Sequence, residues 1–115
     1  MSINIKRVVL ASASQSAGGN SSSQSAVTLA DQLSLFLNVT VAASNSSLTV
    51  YPEWTDDNGT TWYRGDPAEA FTVVSSSPVA LARLFPLRSD KFRVSWDMAG
   101  PGPYTFGVNS FGALL

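Results

Sequence analysis

The sequence predicts an all-β fold, an antiparallel β-sandwich or jelly roll of about seven to nine strands. Three observations favour this class. Apolar residues recur at every second position in most segments, turn-forming clusters separate those segments at intervals of about 8 to 12 residues, and helical spacing is nearly absent. The only candidate helical turns cover residues 26–32 and 67–71. The 115 residues suffice for one two-layer core, so we expect a single β-sandwich domain over 1–115.

The first strand is predicted over Ile5 to Ala11, with Val8 or Val9 facing the core. Residues 12–25 follow, where Ser, Gly, Asn and Gln dominate. Such a composition buries too little apolar surface to offset the entropy lost on ordering. We therefore expect a flexible loop here, which is either mobile or ordered only against a partner.

The next two predicted strands are Leu33 to Val41 and Leu48 to Trp54, with a turn at 44–46 between them. Strict alternation in the first of them places one apolar set on the core face, namely Leu33, Leu35, Leu37, Val39 and Val41. Its polar residues share the opposite face, namely Ser34, Asn38 and Thr40. The second strand contains Pro52, which lacks a ladder donor, so we expect it at a sheet edge or at a bulge.

A β-hairpin tip is predicted over residues 53–64, with the returning strand at Thr60 to Arg64. Asn58 and Gly59 tolerate left-handed backbone conformations, and the carboxylates before them can accept bonds from backbone N–H groups. We interpret the hairpin as architecture. Its structural residues are Asp57, Asn58, Gly59, Thr61 and Trp62.

The rest of the chain continues the alternating pattern. Strands are predicted over Ala70 to Val74, Val79 to Leu87 and Lys91 to Met98. Gly100 to Pro103 forms a rigid break, and Tyr104 to Phe111 is the closing strand. The inward residues of the strand before the break are Phe92, Val94, Trp96 and Met98.

Composition excludes several kinds of chemistry. The chain has no cysteine and no histidine, so it has no thiol nucleophile, disulfide or thiolate zinc site, and it lacks the usual general base. Its net charge is −1 and its basic residues are scattered, which argues against nucleic-acid binding. We identify no targeting segment and no membrane-spanning run, and we expect synthesis in a cytoplasm. No cofactor is expected.

Three candidate sites remain, and each has a structural explanation that we prefer. Glu53, Asp56, Asp57 and Asn58 are oxygen ligands of the kind calcium binds, yet a hairpin tip requires the same residue types. A glycosidase needs two carboxylates, for which Asp57 with Glu53, or Asp66 with Glu69, are candidate pairs. Carbohydrate binding through exposed aromatic side chains is the third, and its candidates are Tyr51, Trp62 and Tyr63.

The segment Thr55-Asp56-Asp57-Asn58-Gly59-Thr60-Thr61-Trp62 resembles the Asp-box, the Ser-x-Asp-x-Gly-x-Thr-Trp hairpin of sialidases and many secreted β proteins. It departs from that pattern at Thr55, where the family has Ser. The resemblance implies a structural role, in which Asp57 bonds backbone groups of the turn and Trp62 packs beneath it. Sialidases repeat the box in each propeller blade, whereas this chain has one copy, so their activity is not implied.

A second resemblance covers residues 33–111. The elements Leu35 to Val41, Asp56 to Trp62, Phe92 to Trp96 and Tyr104 to Val108, with a Gly-Pro break before the last, are similar to those of small virion structural proteins of tailed bacteriophages. The resemblance implies a non-enzymatic capsid decoration or minor capsid protein, or a tail-associated one, located in the virion. Its partners would be the major capsid protein or other virion subunits, and it would form a homo-oligomer such as a trimer.

Five residues are candidates for the contact with such a partner. Arg88 and Arg93 can make bidentate bonds to carboxylates, and Phe111, Leu114 and Leu115 form an apolar tail. Packing of the tail on its own sandwich is the alternative. A carbohydrate- or cell-surface-binding module is the alternative function.

Overall fold

The computed structural model of the chain describes residues 3–25, 32–66 and 68–114. These residues form eight strands and no helix, which confirms the predicted all-β class. The strands are β1 (Ile3–Gln15), β2 (Gly19–Asn20), β3 (Gln24–Ser25), β4 (Gln32–Val41), β5 (Ser47–Trp54), β6 (Val79–Pro86), β7 (Lys91–Ala99) and β8 (Tyr104–Leu114). Of the candidate helical turn at 26–32, residues 26–31 lie outside the described residues, and residue 32 begins β4. Residues 68–71, from the other candidate turn, are not helical.

The strands pair into two antiparallel sheets. Sheet A has the order β1-β8-β4-β6, and in sheet B the central strand β7 pairs with β5 on one side and with the short strands β2 and β3 on the other. The turn at Gly100, whose φ is +105°, carries the chain from β7 in sheet B to β8 in sheet A. A Cβ there would lie 2.8 Å from the Asn45 carbonyl oxygen, so only glycine fits this close approach.

The core lies between the two sheets. The alternating residues of β4 are buried as predicted from Leu33 to Val39. Aromatic residues of β7 and β8 meet across the interface between the sheets, where the Trp96 and Phe106 rings pack edge to face with centroids 5.3 Å apart. Val9, not Val8, faces the core. The prediction for Val41 is wrong: its side chain is 48% exposed, because the β4–β8 register shifts between Val39 and Val41 and reverses the side-chain alternation.

The loop predicted over residues 12–25 is in large part paired. Residues 12–15 belong to β1, and β2 and β3 bind the edge of β7. Between β2 and β3, the buried Ser21 exchanges bonds with Val94: its N–H donates to the Val94 carbonyl over 2.7 Å, and its Oγ accepts from the Val94 N–H over 2.9 Å. The segment is thus ordered by backbone hydrogen bonds and a serine hydroxyl. It does not need the apolar burial that its composition cannot supply.

The predicted strands at Thr60 to Arg64 and Ala70 to Val74 are not strands. Each is reduced to an isolated bridge against the outer edge of β5, Tyr63 to Trp54 and Val74 to Leu48. A further bond runs from the Phe71 N–H to the Val50 carbonyl over 2.9 Å. The predicted edge position of β5 is confirmed, and Pro52 lies in phase with Val50 and Trp54, so its missing N–H falls on this outer edge and costs no bond to β7.

Candidate functional site

The hairpin after β5 is held by a small network of hydrogen bonds. The Thr55 hydroxyl donates to Asp57 Oδ1 over 2.8 Å and accepts from the Gly59 N–H over 2.8 Å. Asp57 Oδ1 also accepts from the Thr61 N–H over 2.8 Å. Asn58 and Gly59 have φ of +62° and +99°, the left-handed conformations that the sequence predicted. The bond from Thr61 to Asp57 is the turn contact that the Asp-box resemblance implied.

These bonds change the acidity of Asp57. The hydrogen bond from the Thr61 backbone N–H, followed by that from the Thr55 side chain, holds the pKa of Asp57 below its usual value of 3.8. The Asp57 carboxylate is therefore committed to the turn as a charged acceptor. Neither the calcium hypothesis nor the glycosidase hypothesis gains support from a carboxylate used in this way.

Trp62 packs against the turn and not in the core. It is half-buried and lies outside the core, with the Arg93 guanidinium over its ring at 4.6 Å from the centroid. Gly59 lies next to the ring, since a Cβ at that position would be 3.7 Å from Trp62 Cζ2. The true aromatic anchor of this region is Trp54, which is 3% exposed and packs against Phe92.

Arg88 and Arg93, the predicted interface arginines, both make intramolecular ion pairs. Arg93 Nε lies 2.9 Å from Glu53 Oε1, and Arg88 Nη2 lies 3.1 Å from Glu69 Oε2. Glu53 also accepts from the Ser95 hydroxyl. Of the four acids in the two candidate glycosidase pairs, Glu53 and Glu69 each neutralise an arginine, Asp57 holds the turn, and Asp66 is exposed.

A cavity of about 470 Å³ lies beside the hairpin, and we call it the hairpin cavity. The base of the hairpin and the start of the segment after it line one side, and residues just before β7 line the other. Its lining residues are Trp54, Thr55, Asp56, Tyr63, Arg64, Gly65, Asp66, Arg88 and Ser89. Of the aromatic residues proposed from the sequence for carbohydrate binding, Tyr63 lies here, whereas the Tyr51 ring is covered by Arg64 at 3.9 Å from its centroid.

The outward surface of sheet A exposes four large apolar side chains and little charge. Three rows cross its strands in register: Lys6, Phe111, Ser34 and Leu84; Val8, Asn109, Phe36 and Ala82; Gly107, Asn38 and Ala80. We call these residues the outer face. Val8, Phe36, Leu84 and Phe111 are 62%, 43%, 56% and 40% exposed, and two depressions of about 480 and 330 Å³ lie along the face. Lys6 is the only charged residue in the three rows.

The outward surface of sheet B has the opposite character. Glu53 and Arg93 pair there, and the Tyr51 hydroxyl donates to Asp97 over 3.2 Å. Burial, and next the Asp97 carboxylate, raise the pKa of Tyr51. The outward surface of sheet B therefore carries paired charges, whereas the rows of the outer face carry one charged residue among exposed apolar side chains.

Of the three residues in the predicted apolar tail, only Phe111 has a described side-chain position. Phe111 lies on the outer face, where it pairs in register with Lys6 and Ser34. The side chain of Leu114 and the whole of Leu115 fall outside the described residues. The sequence prediction missed Phe36, although the signal was present: Phe36 occupies an outward position in a strand whose other outward residues, Ser34, Asn38 and Thr40, are polar.

The described part of the chain brings together no cluster of three or more carboxylate, histidine or cysteine side chains that could hold a metal ion. Over residues 3–25, 32–66 and 68–114 there is also no helix with the length and apolar character that a membrane crossing requires. Comparison of the chain with protein-family models, with curated proteins and with solved structures gives no match.

Proposed function

We propose that the protein is a non-enzymatic structural protein of a viral particle, a capsid decoration or minor capsid protein that binds the assembled shell through its outer face. The observation that carries the proposal is the contrast between the two sheets. The rows of the outer face expose four large apolar side chains and contain one charged residue, Lys6, whereas the outward surface of sheet B carries the Glu53–Arg93 ion pair and the Tyr51–Asp97 hydrogen bond.

An apolar surface of this kind favours association. Monomeric soluble proteins rarely expose contiguous apolar patches of more than a few hundred Å², and larger patches mark contact sites. Asn109 separates Val8 from Phe36 in one row, and Ser34 separates Phe111 from Leu84 in the next. Taken strand by strand, however, Val8, Phe111, Phe36 and Leu84 are diagonal neighbours, a separation that large side chains can bridge. Covering these side chains removes apolar area from water and, apart from Lys6, desolvates no charge of these rows.

The resemblance of residues 33–111 to small phage virion proteins supports the choice of partner, the major capsid protein or another virion subunit. Binding that selects the assembled lattice over free subunits stabilises the intact particle by mass action. A homo-oligomer, such as a trimer, would present several outer faces to neighbouring shell subunits and raise the effective affinity of each contact. If the protein binds tails and not capsids, it is a tail-associated protein that acts by the same mechanism.

The test is co-sedimentation of the purified protein with assembled capsids and, separately, with tails. Wild-type protein is expected to sediment with one of them, and Phe36→Asp or Leu84→Asp should lower its affinity at least about tenfold, because each buries a charge at the contact. Light scattering of the same samples gives the oligomeric state.

Val73→Asp is the matched control. Val73 is 56% exposed, as Leu84 is, but it lies outside the outer face, so the same apolar-to-acid change should leave binding intact. Retained binding in both Phe36→Asp and Leu84→Asp, with folding preserved, would exclude the outer face as the contact. Failure of the wild-type protein to bind either particle would exclude the proposed function.

A further inference from the structure

The hairpin cavity lies apart from the outer face and has a different chemistry. Its lining combines one half-exposed aromatic ring, a buried indole, two hydroxyl side chains and four charged side chains. Its volume of about 470 Å³ falls within the range of about 300 to 1,000 Å³ that is usual for small-molecule sites.

The charges that line the cavity balance. Asp56 and Asp66 contribute two carboxylates, and Arg64 and Arg88 contribute two guanidinium groups. Arg88 is already paired with Glu69, and the Arg64 guanidinium lies over the Tyr51 ring, so neither is a free cation for an anionic ligand. Donors and acceptors of both signs suit a neutral ligand with several hydroxyl groups. Carboxylates accept from such hydroxyls and guanidinium groups donate to them.

Besides hydrogen-bonding groups, a sugar site requires an exposed aromatic surface. Tyr63 is 51% exposed at the cavity although its backbone is fixed by two 2.7 Å bonds to Trp54. Trp54 is 3% exposed, and its Nε1–H has no hydrogen-bond partner among the described residues. The Nε1 atom is itself buried, so Trp54 contributes a packed ring to the cavity wall and not a donor open to the cavity.

The wall opposite Tyr63 is held in place before any ligand binds. The Arg88 guanidinium is bonded to Glu69, and the Ser89 hydroxyl donates to the Thr55 carbonyl over 2.6 Å. Gly65 allows this arrangement, since a Cβ at that position would lie 2.0 Å from Glu69 Oε1. A preformed wall lowers the ordering cost of binding.

We propose that the hairpin cavity binds a neutral pyranose sugar, with the Tyr63 ring against its apolar C–H face and the charged lining bonded to its hydroxyl groups. This binding site is independent of the outer face. A shell protein with such a site would carry a glycan-binding site that shares no residue with the apolar contact.

The test is an NMR titration of the full-length ¹⁵N-labelled protein with glucose, galactose, mannose and N-acetylglucosamine at millimolar concentrations. At least one of these sugars should shift the amides of residues 54–56, 63–66 and 88–89, together with the indole N–H of Trp54. Tyr63→Ala should weaken that binding about tenfold, and Tyr63→Phe should retain it, because the ring is kept.

Phe36→Ala is the control, since it removes an exposed aromatic ring from the outer face and should leave the sugar titration unchanged. Absence of cavity shifts with all four sugars would overturn the proposal, and so would a stronger response to inorganic phosphate or to calcium than to any sugar. Neither result changes the outcome expected in the particle-binding experiment, so each proposal can be rejected without rejecting the other.

Discussion

The Thr55 hydroxyl donates a 2.8 Å hydrogen bond to the carboxylate of Asp57, two residues further along the chain. The same hydroxyl accepts from the Gly59 N–H, so one side chain bonds two positions at the tip of the turn. Threonine stands here where the Asp-box has serine, and the hydroxyl forms these bonds all the same. The hairpin is therefore a structural unit whose stability depends on a charged carboxylate and on a glycine.

Asp57→Ala should lower the melting temperature at neutral pH, and the loss should disappear in acid. The pKa of Asp57 is lower in the folded protein than its usual value of 3.8, so its contribution is complete above that pH and is lost as the pH falls through the folded pKa. Thermal unfolding of wild type and variant from pH 7 to pH 2 measures the difference. Asp56→Ala, which removes a neighbouring carboxylate outside the turn network, should show no such convergence.

Gly59→Val should destabilise the fold by about 1 to 3 kcal/mol, because a β-branched residue is strained at positive φ. Gly59→Asn should cost less, since asparagine tolerates left-handed conformations. Urea unfolding of the two variants gives the comparison. Equal losses in both would show that contact with the Trp62 ring, and not backbone strain, governs this position.

Leu35 and Phe36 are neighbours on β4 whose side chains point to opposite faces. Leu35→Ala removes a fully buried side chain and should cost about 2 to 5 kcal/mol, whereas Phe36→Ala on the outer face should cost less than about 1 kcal/mol. Chemical denaturation of both variants as monomers measures the two losses. A larger loss for Phe36→Ala would contradict the assignment of the faces.

Arg93 interacts with the Trp62 ring as well as with Glu53. A double-mutant cycle of Arg93→Ala and Trp62→Ala should give a coupling energy of about 0.5 to 1 kcal/mol that changes little with salt. The cycle of Arg93→Ala with Glu53→Gln should weaken as ionic strength rises. A zero coupling energy with Trp62 would show that the stacked geometry contributes nothing to stability.

The sequence predicts the fold class because alternation in β4, β7 and β8 is local and regular. It fails at Val41 and at residues 12–25 for a common reason: the bulge after Val39 and the pairing of Ser21 with Val94 arise from backbone contacts between distant segments. The alternation of apolar and polar residues in the sequence cannot predict either contact.

The candidate sites divide in the same way. Asp57, Asn58 and Gly59 were predicted correctly as turn residues because turn chemistry is encoded within a few positions. The pairing of Arg93 with Glu53 and of Arg88 with Glu69 joins residues 40 and 19 positions apart, so the arginines alone appeared available for a partner. The hairpin cavity likewise combines segments that only the folded sheets bring together.

The outer edge of β5 is closed along its length by single contacts from residues 63, 71 and 74 and by Pro52. An open strand edge is a template on which another chain can add, as in domain swapping and amyloid growth. These contacts occupy outward backbone groups of β5 that a strand from another copy would need, so sheet B is protected against extension at this edge.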